Sequence, residues 1–184
     1  DVPDEKAFVN GIVGLMATGG STNLVLHLPA MARAAGVELE LEDFDAISSV
    51  VPMMAKVYPN GLADVNHFHA AGGLGFMIGD LLEAGLLHDD TTTVAGKGLA
   101  AYAQEPKLRD GALVWEDGAK VSQNDKILRS SRDPFQKSGG CTAARQPGPR
   151  HDEGLCRRAG TPRHRSPLPH LPRPGVGQDR FQGW

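Results

Sequence analysis

The amino-acid sequence predicts a mainly α-helical chain with a few short strands, ending in a tail that builds no core. Three observations carry that expectation. Through the first 140 positions apolar residues recur mostly at helical spacing, in stretches divided by glycine- and proline-containing turns. Period-two alternation, the mark of a half-buried strand, is brief. After Gly140 the composition changes abruptly.

Taken in order, Ala7, Phe8, Ile12, Val13, Leu15 and Met16 line one helix, with Asp4 and Glu5 placed to favour its N-terminal dipole. It stops at Gly19-Gly20, and a second helix starts with Ser21 or Thr22 as N-cap, carries Leu24, Val25, Leu28 and Met31, and ends at Gly36. Pro29 inside that run bends the helix or removes one hydrogen bond. Residues 37–41 alternate and predict a short strand, followed by an acidic helix start at Glu42-Asp43 and a short helix through Phe44, Ile47, Val50 and Val51. Tyr58-Pro59-Asn60-Gly61 is a turn signal. Residues 63–87 are apolar and predict two close-packed helices meeting at Gly72-Gly73. Thr91, Thr92 and Thr93 are expected to cap a short helix running to Tyr102, and after Pro106 the chain is expected to be irregular, with Val114 and Trp115 as a possible strand.

Forty per cent of the 184 residues are hydrophobic, too many for wholesale disorder, and no apolar run reaches the ~18 residues of a membrane span. Neither a secretory nor a mitochondrial leader is visible at the acidic start, and Asp1 reads as a cut or incomplete beginning. Residues 1–140 carry 11 Lys and Arg against 19 acids, a net of −8, while residues 141–184 carry 8 Arg and no Lys against 3 acids, a net of +5. The tail also holds 7 of the 13 prolines and both cysteines but no isoleucine, so it reads as a disordered second region after a folded first one. A basic arm for nucleic acid is one explanation of such a tail. Another is a frameshift, because Arg, Pro, Gly, His and Cys without Lys or Ile is what GC-rich codons give out of frame. A back-translation of residues 150–158 moved by one base reads Met-Met-Lys-Val-Ser-Ala-Val, an ordinary core-like string. Cys141 and Cys156 show neither metal-site spacing nor a disulfide framework.

Several motifs bear on chemistry. Gly73, Gly75 and Gly79 are spaced one residue too long for a dinucleotide fingerprint, and Gly96-Lys97-Gly98 lacks the flanking residues of a Walker A loop. His67 and His69, with Asp64 upstream, are of metal-binding type, yet on a helix they point roughly 200° apart. A metal role, substrate contact and a structural role stay open there. Thr18-Gly19-Gly20-Ser21-Thr22-Asn23 places paired glycines and small polar residues at the mouth of a helix, where backbone N–H groups can cradle a phosphate or carboxylate. A C-cap glycine followed by an N-cap serine explains the same string.

Ala17-Thr18-Gly19-Gly20-Ser21-Thr22-Asn23, continuing into Leu26-His27-Leu28 and Ala30-Met31-Ala32-Arg33-Ala34-Ala35-Gly36, resembles the central region of the dihydroxy-acid/6-phosphogluconate dehydratase family. Val51-Pro52-Met53-Met54-Ala55, the string from Tyr58 to Gly73, Ala84-Gly85-Leu86-Leu87-His88 and Thr93-Val94-Ala95-Gly96 are similar to the 6-phosphogluconate branch in particular. The resemblance runs from about Glu5 to Gly140 and loses register after Gly140, as a frameshift would produce. It implies an α/β fold, of which this chain is a mainly helical interior part. It also implies a cytoplasmic, homo-oligomeric lyase of the Entner–Doudoroff route that dehydrates 6-phospho-D-gluconate, a phosphorylated sugar acid, to 2-dehydro-3-deoxy-6-phosphogluconate. In such an enzyme a 4Fe-4S cluster with an open iron acts as Lewis acid on the C3 hydroxyl while a base removes the C2 proton. The family's cluster cysteines lie upstream of the glycine-serine-threonine motif and its proton-removing serine downstream, in a Thr-Asp-Gly-Arg-type segment. Neither is expected here, so the resemblance implies no catalytic or metal-ligating residue, no bound cluster and no activity for this chain alone. Substrate-binding residues carried over are Gly19, Gly20, Ser21, Thr22, Asn23, Asn66, His67 and His69. A sister dehydratase of dihydroxy acids or sugar acids would share the turn; a non-catalytic helical module with a basic arm is the alternative outside the family, and nucleic acid and membrane are not expected as partners.

Overall fold

A computed structural model describes residues 3–140, and the predicted tail lies outside the described residues. Five α-helices, two small antiparallel hairpins and one 3-10 turn make up these residues, in agreement with a mainly helical chain. Helix α1, Glu5–Thr18, is the hub: Ile12, Val13, Met16 and Ala17 are fully buried, and Phe8, Val9 and Leu15 nearly so. Asp4 starts it by accepting the Ala7 N–H at 2.8 Å. Gly19 ends it in the left-handed region at φ 61°, its N–H returning to the last turn, as a C-terminal glycine does.

Helix α2, Asn23–Ala34, lies against α1 and encloses Pro29, which donates no hydrogen bond to the preceding turn. It leaves through Gly36 at φ 82°, with the Val37 N–H returning to the Ala32 carbonyl at 2.8 Å. The strand expected at residues 37–41 does not form. The alternation is real, since Leu39 is buried between exposed Glu38 and Glu40, but no strand among the described residues pairs with it. Instead the Glu40 N–H donates to the Asp43 carboxylate at 2.8 Å and starts α3, Leu41–Ser48, which packs Phe44 and Ile47 onto α1.

An extended segment, residues 51–57, threads through the middle. The Met54 N–H reaches the Ala17 carbonyl at the end of α1 at 2.7 Å; Met53 pairs with Gln136 on one side, and Ala55 pairs with Leu128 on the other. Helices α4, Val65–Ala70, and α5, Gly73–Glu83, follow and meet at the glycine pair as expected. Gly72 at φ 132° and Gly73 at φ 57° make the corner between them, and a Cβ on Gly72 would lie 2.9 Å from that of Phe76.

Beyond α5 two sequence expectations give way. The threonines cap no helix: Thr92–Thr93 (β1) pairs with Gly96–Lys97 (β2), tied by the Thr93 hydroxyl donating to the Gly96 carbonyl at 2.7 Å. The 3-10 turn Ala100–Ala103 is preceded by Leu99, whose N–H donates to the Asp89 carboxylate at 2.6 Å, so Asp89 takes the capping role. The stretch after Pro106 is not irregular as far as Asp117, because Gln104–Arg109 (β3) and Ala112–Asp117 (β4) form a six-residue antiparallel ladder that includes the expected Val114 and Trp115; residues 118–140 are irregular as expected. This hairpin settles onto α5 where Gly75 has no side chain; a Cβ there would touch the Ala103 and Gln104 carbonyls at 3.4 Å.

Candidate functional site

The glycine turn is shaped by what presses on it. A Cβ added to Gly19 would stand 2.1 Å from the Asn60 amide nitrogen, so Asn60 occupies the space that a side chain would need. That amide donates to the Thr18 carbonyl at 3.3 Å and the Ala55 carbonyl at 3.2 Å, joining the end of α1 to the extended segment. Gly61 next to it packs directly on the Lys56 carbonyl, 2.3 Å from where its Cβ would be. Asn60 was marked in the sequence only by its turn signal, and its bonding to Thr18 comes from 42 residues away, beyond what local pattern can register.

Within the turn, the N–H groups of Gly19, Gly20, Leu24 and Val25 go to carbonyls of the chain, and the Asn23 N–H goes to the Ser21 hydroxyl at 3.2 Å. Ser21 therefore performs the capping, while Thr22 makes no side-chain cap bond. Gly19 is buried, Gly20, Ser21 and Thr22 are half-buried, and Asn23 is exposed.

The second predicted group sits apart on α4. Asn66, His67 and His69 are all exposed there. Asp64 caps the helix by accepting the His67 N–H at 2.9 Å, and the His67 imidazole lies 2.8 Å from the same carboxylate. That backbone bond, followed by the His67 charge, holds the Asp64 carboxyl below its ordinary pKa. His69 faces the rim of an apolar groove of about 620 Å³ walled by Phe68, Gly72, Ile78, Tyr102 and Trp115. Both imidazoles are on a helix, as the angular argument required for their not sharing a metal, and no hydrogen bond among the described residues joins α4 to the glycine turn.

No group of three His, Cys, Asp or Glu side chains among the described residues could hold a metal ion. Cys141 and Cys156 lie outside those residues, which themselves contain no thiol. An iron–sulfur cluster needs thiolate ligands, so the described residues do not fit one. No helix among them is long and apolar enough to cross a membrane.

Comparison with known proteins gives the arrangement its context. Residues 1–102 match the model of the dihydroxy-acid/6-phosphogluconate dehydratase N-terminal domain. The chain is 54% identical over 140 residues to a phosphogluconate dehydratase of Pseudomonas aeruginosa, and 55% identical over 137 residues to one of Escherichia coli K12. These alignments cover 76% and 74% of this chain and 23% of each relative. A dihydroxy-acid dehydratase of Metallosphaera sedula is 42% identical over 140 residues, covering 76% of this chain and 23% of the relative. The chain thus spans about a quarter of the length of the curated relatives it matches. With more than half of its residues under that domain model, the chain belongs to the dihydroxy-acid/6-phosphogluconate dehydratase family.

Proposed function

We propose that residues 1–140 are an interior part of a phosphogluconate dehydratase, a hydro-lyase that converts 6-phospho-D-gluconate to 2-dehydro-3-deoxy-6-phosphogluconate in the Entner–Doudoroff route. The observation that carries the choice of substrate is the gap in identity. Relatives named phosphogluconate dehydratase stand at 54% and 55%, against 42% for the dihydroxy-acid enzyme over the same length. In the complete enzyme a 4Fe-4S cluster supplies Lewis acidity toward the leaving hydroxyl. The part played by this chain's residues is to shape and position. Gly19 to Asn23 form a wall of the substrate site, locked by Asn60, and Asn66, His67 and His69 contribute contacts specific to the phosphogluconate branch. The isolated chain binds no cluster and has no dehydratase activity; residues 141–184 are an out-of-frame tail with no functional weight. The complete enzyme is a cytoplasmic homo-oligomer without nucleic-acid partners.

The test is a hybrid in which residues 1–140 replace the matching segment of the Pseudomonas aeruginosa relative. The hybrid is expected to dehydrate 6-phosphogluconate and to leave 2,3-dihydroxy acids untouched. A folded hybrid that prefers the dihydroxy acid overturns the substrate assignment. Cluster binding and turnover by the 184-residue chain alone would overturn its inactivity.

A further inference from the structure

The most telling polar feature outside the predicted residues is a pair of cations on one aromatic ring. The Lys56 ammonium lies 4.8 Å from the centre of the Phe135 ring and the Arg129 guanidinium carbon 4.7 Å from the same centre. Their placement is fixed by the backbone. Lys56 donates its N–H to the Ile127 carbonyl at 2.8 Å, Arg129 donates to the Met54 carbonyl at 2.8 Å, and Phe135 donates to the Met53 carbonyl at 3.0 Å. All three residues therefore hang from the extended segment that also carries the Ala55 carbonyl bound by Asn60.

What sets the pair apart is two cations brought to one ring with no carboxylate bridged to either; lack of an ion pair alone is shared by Arg33, Lys97, Lys120, Lys126 and Lys137 among the described residues. Lys6, Lys107, Arg109 and Arg132 each bridge to a carboxylate. Neither Lys56 nor Arg129 has an ion pair among the described residues. The only hydrogen bond of the guanidinium among the described residues goes to a neutral acceptor, the Asp125 carbonyl, at 2.8 Å. Sharing one ring puts the two charges at most about 10 Å apart, one Debye length at ~0.1 M salt, so each feels the other. The ring attracts both cations but cancels neither charge. A dianion bonded to both would relieve the repulsion and satisfy the free donors, and a guanidinium with an ammonium is a donor set suited to a phosphate group.

We propose that Lys56 and Arg129, held by Phe135, form a subsite for a phosphomonoester. Its assignment to the phosphate end of the sugar acid rests on the function proposed above. In that role the two side chains decide specificity, since an unphosphorylated acid offers them nothing at this position.

The experiment titrates the 184-residue chain, carbon-labelled in the Phe135 ring, with inorganic phosphate, 6-phosphogluconate and gluconate at constant ionic strength, followed by NMR. Saturable Phe135 shifts are expected with the first two and not with gluconate, and the dissociation constant should rise at least tenfold in K56Q/R129Q. K56Q and R129Q singly provide smaller losses should the double variant not fold, and the amide spectrum reports folding. The subsite is overturned if phosphate gives no saturable shift or shifts K56Q/R129Q equally. Binding of inorganic phosphate but not of 6-phosphogluconate overturns the sugar-acid assignment, and equal binding of gluconate shows a carboxylate site instead. Should the hybrid enzyme turn over 6-phosphogluconate while the chain shows no such shifts, the subsite fails and the proposed function stands. Phosphate shifts without turnover by the hybrid give the reverse.

Discussion

Gly19 is the residue on which the candidate site turns, for two separate reasons. Its φ of 61° disfavours any side chain, and Asn60 fills the position its Cβ would take. Gly19→Ala should cost about 2 kcal/mol or more, read as a lower urea midpoint, because backbone strain and overlap act together. Adding Asn60→Ala should relieve the overlap while giving up the bonds to Thr18 and Ala55, so the double variant should lose less than the sum of the two single variants. Strictly additive losses would show that Asn60 does not press on the turn. His88 is the other informative residue, 9% exposed with its Nε2 buried and lacking a partner among the described residues. Burial, then the Lys6 charge, pushes its pKa below 6.5, while Asp90 and Asp4 pull the other way. The unfolded chain consequently takes up the proton first as pH falls. His88's contribution is fully present above about pH 6.5 and declines below it toward the lower folded pKa. Asp43, whose carboxyl is pushed up to about 6 by burial and then by Glu42, works the opposite way and gains stability as pH falls through the same window. His88's share is therefore read as the difference between the parent and His88→Gln in urea unfolding at about pH 7.5 and about pH 5.5; an identical pH dependence in the two would place the acid sensitivity elsewhere.

The hairpin β3–β4 is an element whose logic lies in two residues. Asp110 at φ 50° and Gly111 at φ 81° are the paired left-handed positions of a type I′ turn, the connection whose twist matches an antiparallel ladder. Gly111→Val places a branched side chain at that φ and should cost the hairpin at least ~1 kcal/mol, seen as faster amide exchange throughout β3 and β4. Helix α1 should keep its protection, since most of the hairpin's side chains are exposed and outside the core. Global unfolding by Gly111→Val would mean that the hairpin is integral to the core. This element also marks where sequence reading stops. The α1 and α5 helices were legible because their apolar faces are continuous, and Gly19 ends the one and Gly72-Gly73 opens the other with positive φ. Asp110-Gly111 was the available signal for the hairpin, masked by Pro106 and by charged residues whose partners lie across the ladder, such as Arg109 and Glu116 at 2.9 Å. Residues 37–41 misled for the opposite reason: alternation reports that one face is buried, whereas a strand also needs a partner, which only tertiary structure supplies. At the site the glycine turn could be read locally, but Asn60, Lys56, Arg129 and Phe135 meet through pairings across some 40 to 80 positions that no local pattern encodes.

At the scale of the molecule, the distribution of apolar surface is the governing fact. Helix α1 is saturated with contacts, yet α2 leaves Leu24 41% and Met31 57% exposed, seven residues apart and so on one face, with Ala32 its only fully buried residue. The hairpin register sets Leu108 opposite Leu113 and Pro106 opposite Trp115, so one face of the ribbon is an apolar stripe, with Leu108 74% and Trp115 59% exposed. Single exposed leucines are ordinary, but two grouped faces are not, and a chain spanning 23% of its relatives' length has a physical reason to show them. The 184-residue chain should therefore bind an apolar dye and associate as its concentration rises, because these faces lower their free energy by leaving water. Leu24→Glu with Met31→Glu should suppress much of both effects. Stability should change by no more than ~0.5 kcal/mol per site, since these side chains support little of the core. Sedimentation velocity across a concentration series, with dye fluorescence alongside, reads the outcome. A monomer at every concentration that binds no dye would mean that the grouped faces are solvated as they stand. Association that persists unchanged in the double variant would move the sticky surface from α2 to the Leu108–Trp115 stripe, where Trp115→Lys provides the same test.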